Sequence, residues 1–286
     1  MKQGGRHKAA GFTIVETMLV LAVTGSLFVS AAVLINGRQN KTEFQTGINN
    51  LQQQVQQIVN ETSSGYYPTS KNFTCNGATH PVKIFAAGAN NQGQNSGCIF
   101  LGKVVQFGTS VDPTQLVVYP IAGNQLNVAS KNVLTVAQAS PFAIAPGFVV
   151  GSSPVDASVS QSMLSGLSVA ITGGAPIMSY TVGAISNPTG AVGFITGDSS
   201  GNIASSTSTG LGSGTQQLSL YAVSGTTANM NTKTLVDKIN AGNLVNNVSS
   251  ITACIKSGTT NQSAALTIGG SGKLSVGIKI YSGLVC

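Results

Sequence analysis

The chain has 286 residues, enough for one large or two ordinary domains with a buried core. Charged residues make up only 7%, against about 25% in an average soluble domain, and 35 residues are glycine. With many Ser, Thr, Asn, Gln and β-branched residues, that balance speaks against a cytosolic enzyme and for a strand-rich extracellular module. Three of the basic residues behind the +7 net charge (Lys2, Arg6 and Lys8) lie at the start and the rest are scattered, so no nucleic-acid stripe is drawn.

Residues 1–11 read as a polar leader with Lys2, Arg6, His7 and Lys8, held on the cytoplasmic side by its charge, although Arg38 and Lys41 beyond the span weaken the asymmetry. Residues 12–35 form an apolar run of 24 residues, about 36 Å as a helix and enough to cross a bilayer. A secretory signal peptide is cut after its apolar region, whereas here the glycine, Gly11, precedes it. Gly25, Ser26, Ala31 and Ala32 supply small faces suited to close helix packing. Glu16 is the anomaly, because a carboxylate inside a span costs about 2–3 kcal/mol and calls for a partner.

Phe44, Ile48, Leu51, Val55 and Ile58 then recur at helical spacing, so the helix is expected to continue to about Glu61 and to stop at Ser63-Ser64-Gly65. Gly37 and Gly47 are where it is expected to bend or melt. A helix of this composition is marginal alone in water, so residues 36–65 must dock their apolar stripe on something, most simply the protein's own sheet.

Residues 66–286 read as a β-rich unit. Strand candidates are 98–107, 116–121, 167–172, 179–185 and 190–196, with an enlarged, Gly/Ser/Thr/Asn-punctuated middle over 123–232 and near low complexity at 197–215. Residues 234–239 suggest a short helix. Strands over 251–256, 264–268 and 274–281, separated by Gly-rich turns, suggest an antiparallel meander. The expected class is therefore α+β: a long N-terminal helix, membrane-spanning in its first half, packed on a mostly antiparallel sheet.

The four cysteines, Cys75, Cys98, Cys254 and Cys286, show no C-x-x-C spacing, and His80 is the one histidine beyond the leader. Two disulfides in an oxidising compartment fit better than zinc. Cys75–Cys98 and Cys254–Cys286 close the shorter loops, but the sequence permits three pairings.

Gly11-Phe12-Thr13-Ile14-Val15-Glu16 resembles the class III signal of type IV pilins and type II secretion pseudopilins, whose pattern is glycine, phenylalanine, threonine, two hydrophobic residues and glutamate ahead of a full-length span. The resemblance covers about the first fifth of the chain. It implies that a prepilin peptidase cuts between Gly11 and Phe12 and N-methylates Phe12. It also implies that Glu16 pairs with the N-terminal amine of a neighbouring pilin or pseudopilin subunit during assembly on an inner-membrane platform, the chain moving from membrane lipid to a surface or periplasmic filament. The bland alternative for Glu16 is a contact with the amine of its own helix, four residues earlier.

The closing strands, from Cys254-Ile255-Lys256-Ser257-Gly258 onward, look like the head of GspH/FimT-like minor pilins. The chain departs from the family at Val33, where many major pilins carry a helix-bending proline, at Thr17-Met18, and in its long middle. By the resemblance it is a minor pilin for adhesion, motility or DNA uptake; the alternatives are a secretion pseudopilin and a non-polymerising single-span surface binding protein.

Other motifs yield less. Gly197-Asp198-Ser199-Ser200-Gly201 fits a nucleophile elbow in letters, but its flanks have no helical period and only His80 could be the base, so an anchored hydrolase is disfavoured. Gly269-Gly270-Ser271-Gly272-Lys273 departs from a phosphate loop and reads as a hairpin turn. The acids beyond the leader (Glu16, Glu43, Glu61, Asp112, Asp156, Asp198 and Asp237) are widely spaced and form no local pair, metal loop or catalytic dyad, and no cofactor is expected. Lys256, Lys273 and Lys279 could face DNA together, but three lysines without interleaved aromatics are more often a solvated face.

Overall fold

A computed structural model describes residues 13–64, 73–76, 83–86, 98–110, 112–124, 135–143, 148–150, 153–155, 161–163, 167–169, 171–172, 175–176, 178–196, 218–227, 230–258, 261–269 and 274–283. The chain divides into two compact units, 1–45 and 46–286. Helix α1 (Ile14–Ser63) supplies the first unit's described structure and continues into the second. It runs as helix through Gly37 and Gly47, where the sequence suggested a break. Among the described helices it is the one long and apolar enough to cross a membrane.

In the second unit the strands follow in order: β1 (Phe73–Asn76), β2 (Lys83–Ala86), β3 (Cys98–Phe107), β4 (Gln115–Asn124), β5 (Phe142–Ala143), β6 (Phe148–Val150), β7 (Ser153–Val155), β8 (Gln161–Met163), β9 (Leu167–Val169), β10 (Ile171–Thr172), β11 (Ala175–Pro176), β12 (Met178–Val182), β13 (Ile185–Pro188), β14 (Ala191–Thr196) and β15 (Leu218–Val223). Helix α2 (Thr232–Asn240) precedes β16 (Leu244–Val245), β17 (Ser250–Ser257), β18 (Gln262–Gly269) and β19 (Ser275–Ser282). Two large sheets result, beside the two-stranded pairs β1-β2, β6-β7 and β10-β11, and every described pairing is antiparallel. The first runs β16-β15-β14-β3-β4-β5, with β8 also on β4; the second runs β13-β12-β17-β18-β19, with β9 also on β17.

The strand expected over 98–107 is met residue for residue, and those over 251–256, 264–268 and 274–281 form the meander β17-β18-β19 with ends shifted by one or two residues. The candidate over 179–185 is instead a hairpin: Gly183, with φ of +60°, and Ala184 turn the chain between β12 and β13. The one over 167–172 splits into β9 and β10. The middle stretch 123–232 contributes β5, β8, β14 and β15 to the first sheet and β9, β12 and β13 to the second. It is built into both sheets, because β14 pairs with β3 and β12 with β17, partners remote in sequence.

The register assigns the faces. On the first sheet Val104, Val117, Tyr119, Ile121, Ala191, Ile195, Tyr221 and Val223 form one buried cluster, covered by Leu235 and Ile239 of α2. Asn231 starts α2 by accepting a 2.8 Å hydrogen bond from the Lys233 amide. On the opposite face lie Lys103, Val105, Phe107, Val118, Val192, Phe194 and Leu220, all buried.

On the second sheet Ile251, Ala253, Ile255, Ala264, Leu266 and Ile268 share the inner face. The second-unit part of α1 buries Ile48, Leu51, Val55 and Ile58, each 6% exposed or less. Gln52 Nε2 donates to the Val276 carbonyl of β19 (2.7 Å). Each buried side chain of that stripe contributes about 1.5–3 kcal/mol.

A bulge between Phe100 and Gly102 offsets β3 from β4. Gly102 has φ of +152°, and a Cβ there would stand 2.0 Å from the Phe194 carbonyl oxygen of β14, so no other residue fits.

Candidate functional site

The candidate site is the start of α1. Thr13 caps the helix: its Oγ1 accepts from the Glu16 amide at 3.3 Å. Thr13-x-x-Glu16 is thus the sequence of a capping box, a signal that the sequence reading passed over. The acid of the first turn, Glu16, also sits favourably at the positive end of the helix dipole.

The span beyond it has two properties. Its large apolar side chains, from Ile14 to Leu34, are 51–77% exposed, a surface that water does not tolerate at this density. Its hydroxyls are satisfied within the helix: Thr17 bonds the Ile14 carbonyl (2.9 Å), Thr24 that of Val20 (2.8 Å), Ser26 that of Val23 (2.8 Å) and Ser30 that of Ser26 (2.8 Å). The Glu16 carboxylate has no such bond among the described residues. Glu16 is thus the one polar side chain of the span without a partner among the described residues. Gly11 and Phe12, the cleavage and methylation residues expected from the sequence, lie outside the described residues.

Three of the remaining acids, Glu61, Asp112 and Asp237, have described partners. Glu61 pairs with Lys103 at 2.6 Å, and its other oxygen accepts from Gln57 at 2.7 Å. Burial works to raise the Glu61 pKa, but those hydrogen bonds and the Lys103 charge bring it below the ordinary value. The Thr114 hydroxyl and amide hold the Asp112 carboxyl below its usual range, as a turn does. Asp237 pairs with Lys233 on the surface of α2. Glu43 is exposed; Asp156 and Asp198 lie outside the described residues. No group of three metal-ligating side chains occurs among the described residues.

Cys254 is disulfide-bonded, on the outer face of β17, and no described cysteine is free. The side chains of Cys75 and Cys98, and all of Cys286, lie outside the described residues, as do His80, Gly197 to Gly201 and the turn after Gly269. Of the three lysines, Lys256 and Lys279 share the outer face of the meander, and Lys273 is outside the described residues. An aromatic does stand among them: Lys279 Nζ lies 5.2 Å from the centre of the Tyr281 ring. That contact occupies the lysine rather than presenting it. No family model matches the chain, and no curated protein or solved structure matches it either.

Proposed function

We propose that this chain is a subunit of a type IV pilus, a minor pilin whose N-terminal helix is first a membrane anchor and then part of a filament core. The observation that carries the proposal is the state of Glu16. It is a carboxylate without a partner among the described residues, in an apolar, exposed span whose hydroxyls all bond within the helix. Cleavage after Gly11 by a prepilin peptidase creates an ammonium at Phe12, and the amine of an adjacent subunit then supplies a counter-charge to Glu16.

The work of such a subunit is mechanical. Helices leave the bilayer and exchange lipid contacts for contacts with other helices, driven by an inner-membrane assembly platform and its ATPases. A pilus is preferred to a secretion pseudopilus because the middle stretch 123–232 enlarges the β-rich unit from within both sheets, giving a larger surface for contact outside the cell.

Glu16→Ala tests the mechanism. The processed chain accumulates in the membrane, and the fibre fraction sheared from cells loses it at least tenfold. Gly11→Val leaves the chain unprocessed, with its leader attached, as mass spectrometry of the membrane fraction reads directly. Normal incorporation of the Glu16 variant into sheared fibres overturns the proposal.

A further inference from the structure

The edge of a sheet presents a row of unpaired amides and carbonyls, and folded chains keep such edges short, broken by proline or charged. Three of the four outermost strands of the two large sheets obey that rule. β5 and β16 have two residues each, and β13 has four and ends in Pro188. β19 does not. It is a strand of eight residues without proline, its one charge is Lys279, and that ammonium is drawn over the Tyr281 ring at 5.2 Å.

Two hydrogen bonds show which backbone groups of β19 face away from β18. The Gly283 amide donates to the Asn261 carbonyl (2.9 Å), so the odd-numbered residues turn towards β18. The Val276 carbonyl points the other way and accepts from Gln52 (2.7 Å). The amides and carbonyls of Ile278, Ile280 and Ser282 therefore point outward, and β18 is the one strand paired with β19 among the described residues. Cover on the inner face fades along the same stretch, from Val276 at 8% exposed to Ile280 at 39%.

We propose that this edge pairs with β19 of a second copy of the chain, antiparallel and about a two-fold axis at Ile280, so that the sheet runs on from one copy into the other. In that register Ile280 lies opposite its own copy and Ile278 opposite Ser282 of the second copy, each pair exchanging both backbone hydrogen bonds. The inner face brings the exposed isoleucines together. The outer face sets Lys279 opposite Tyr281 of the second copy, a second ring for the ammonium. Neighbouring registers are worse. Centring on Lys279 puts two lysines directly opposite each other, and centring on Ile278 takes the Val276 carbonyl that Gln52 already holds. The strand is thus complementary to itself in one register, which favours a second copy over an unrelated extended segment. Every residue involved belongs to the unit 46–286, so the inference does not rest on the filament reading.

The test uses the full chain in detergent at micromolar concentration. Light scattering and sedimentation should find a dimer. A spin label on a non-native amino acid at the exposed position 275 should lie about 33 Å from its copy, a separation of about ten residues of strand. Ile280→Pro removes an outward amide without touching the bonds to β18, and Ile280→Lys sets like charges opposite each other. Each should weaken the dimer at least about tenfold.

If Ile280→Pro fails to fold, Ile280→Lys decides alone. A monomeric unaltered chain overturns the inference, and so does a dimer that the folded variants leave intact, since it would be held elsewhere on the chain. An inter-label distance of about 20 or 26 Å, the values for pairing centred on Ile278 or Lys279, overturns the register and with it the role given to Lys279.

Discussion

The first and second parts of α1 satisfy the same rules by opposite means. In the span, polar groups turn inward to the helix backbone, apolar side chains are left bare, and the single charge has no described partner. From Ile48 to Ile58 the apolar side chains are buried on the chain's own sheets, and Glu61, three residues on, is paired with Lys103. The second part is finished within the chain, whereas the first, on the proposed function, is finished by a neighbouring subunit. Changes in the β-rich unit should therefore move a denaturation midpoint and leave membrane partition alone, whereas Glu16 substitutions should do the reverse.

The strongest break of the second region is Gly102→Ala. It forces a side chain into a backbone carbonyl 2.0 Å away and strains a φ of +152°. Loss of about 3 kcal/mol or more is expected, together with loss of the bulge that aims Lys103. Chemical denaturation of the full chain in detergent checks this, with carbonate-resistant membrane association as the quantity that should not change.

Lys103→Met comes next. It leaves Glu61 with Gln57 alone, and since Glu61 is 29% exposed it can partly rehydrate, so the expected loss is about 2 kcal/mol. The pair also carries a pH signature. The folded-state pKa of Glu61 lies below its ordinary value of 4.5, so its contribution is present above that value and is lost as pH falls through the folded value. The native chain should show that acid slope in its midpoint and Lys103→Met should not. An unchanged slope would remove Lys103 as the cause.

How much of this could be read in the sequence depends on the range of the interaction. The strand over 98–107 and the three closing strands were legible because β-branched runs between glycine turns are local signals. The helix stripe was legible for the same reason. What escaped was pairing. Nothing within 123–232 announces that β14 lies on β3 while β12 lies on β17. Glu61 and Lys103 are 42 residues apart, and each looked like an isolated charge.

A lone lysine at the centre of an apolar strand was nevertheless a usable hint of a buried partner. At the candidate site the position of Glu16 was legible to the residue. The satisfaction of every neighbouring hydroxyl was not, because it depends on side-chain rotamers within the helix.

An alkaline probe sharpens the picture of the α2 side of the first sheet. The Tyr119 hydroxyl donates to Gln106 Oε1 at 2.6 Å, and Gln106 Nε2 donates to the Met230 carbonyl at 2.7 Å, tying the approach to α2 to the sheet. Burial pushes the Tyr119 pKa up to about 12, although a hydrogen bond with Thr232 works against the shift. The folded state therefore holds this proton more tightly than the unfolded chain. Its contribution is present below about pH 10 and is lost as pH rises towards 12. Tyr119→Phe should flatten the midpoint between pH 10 and 12, at about 1 kcal/mol of stability at neutral pH.

The mildest change is at the start of α2. Asn231→Ala removes the side-chain acceptor of the Lys233 amide and leaves that helix uncapped, at about 1 kcal/mol. Because α2 covers the sheet face opposite the one where Lys103 lies, this loss should add to that of Lys103→Met without coupling. The double variant measures whether the unit 46–286 behaves as two independent faces of one sheet. A sum that exceeds the two single losses by more than about 0.5 kcal/mol would mean that the covering by α2 and the docking of α1 are one cooperative event. In that case the second part of α1 would owe its burial to the whole unit and not to the sheet faces it touches.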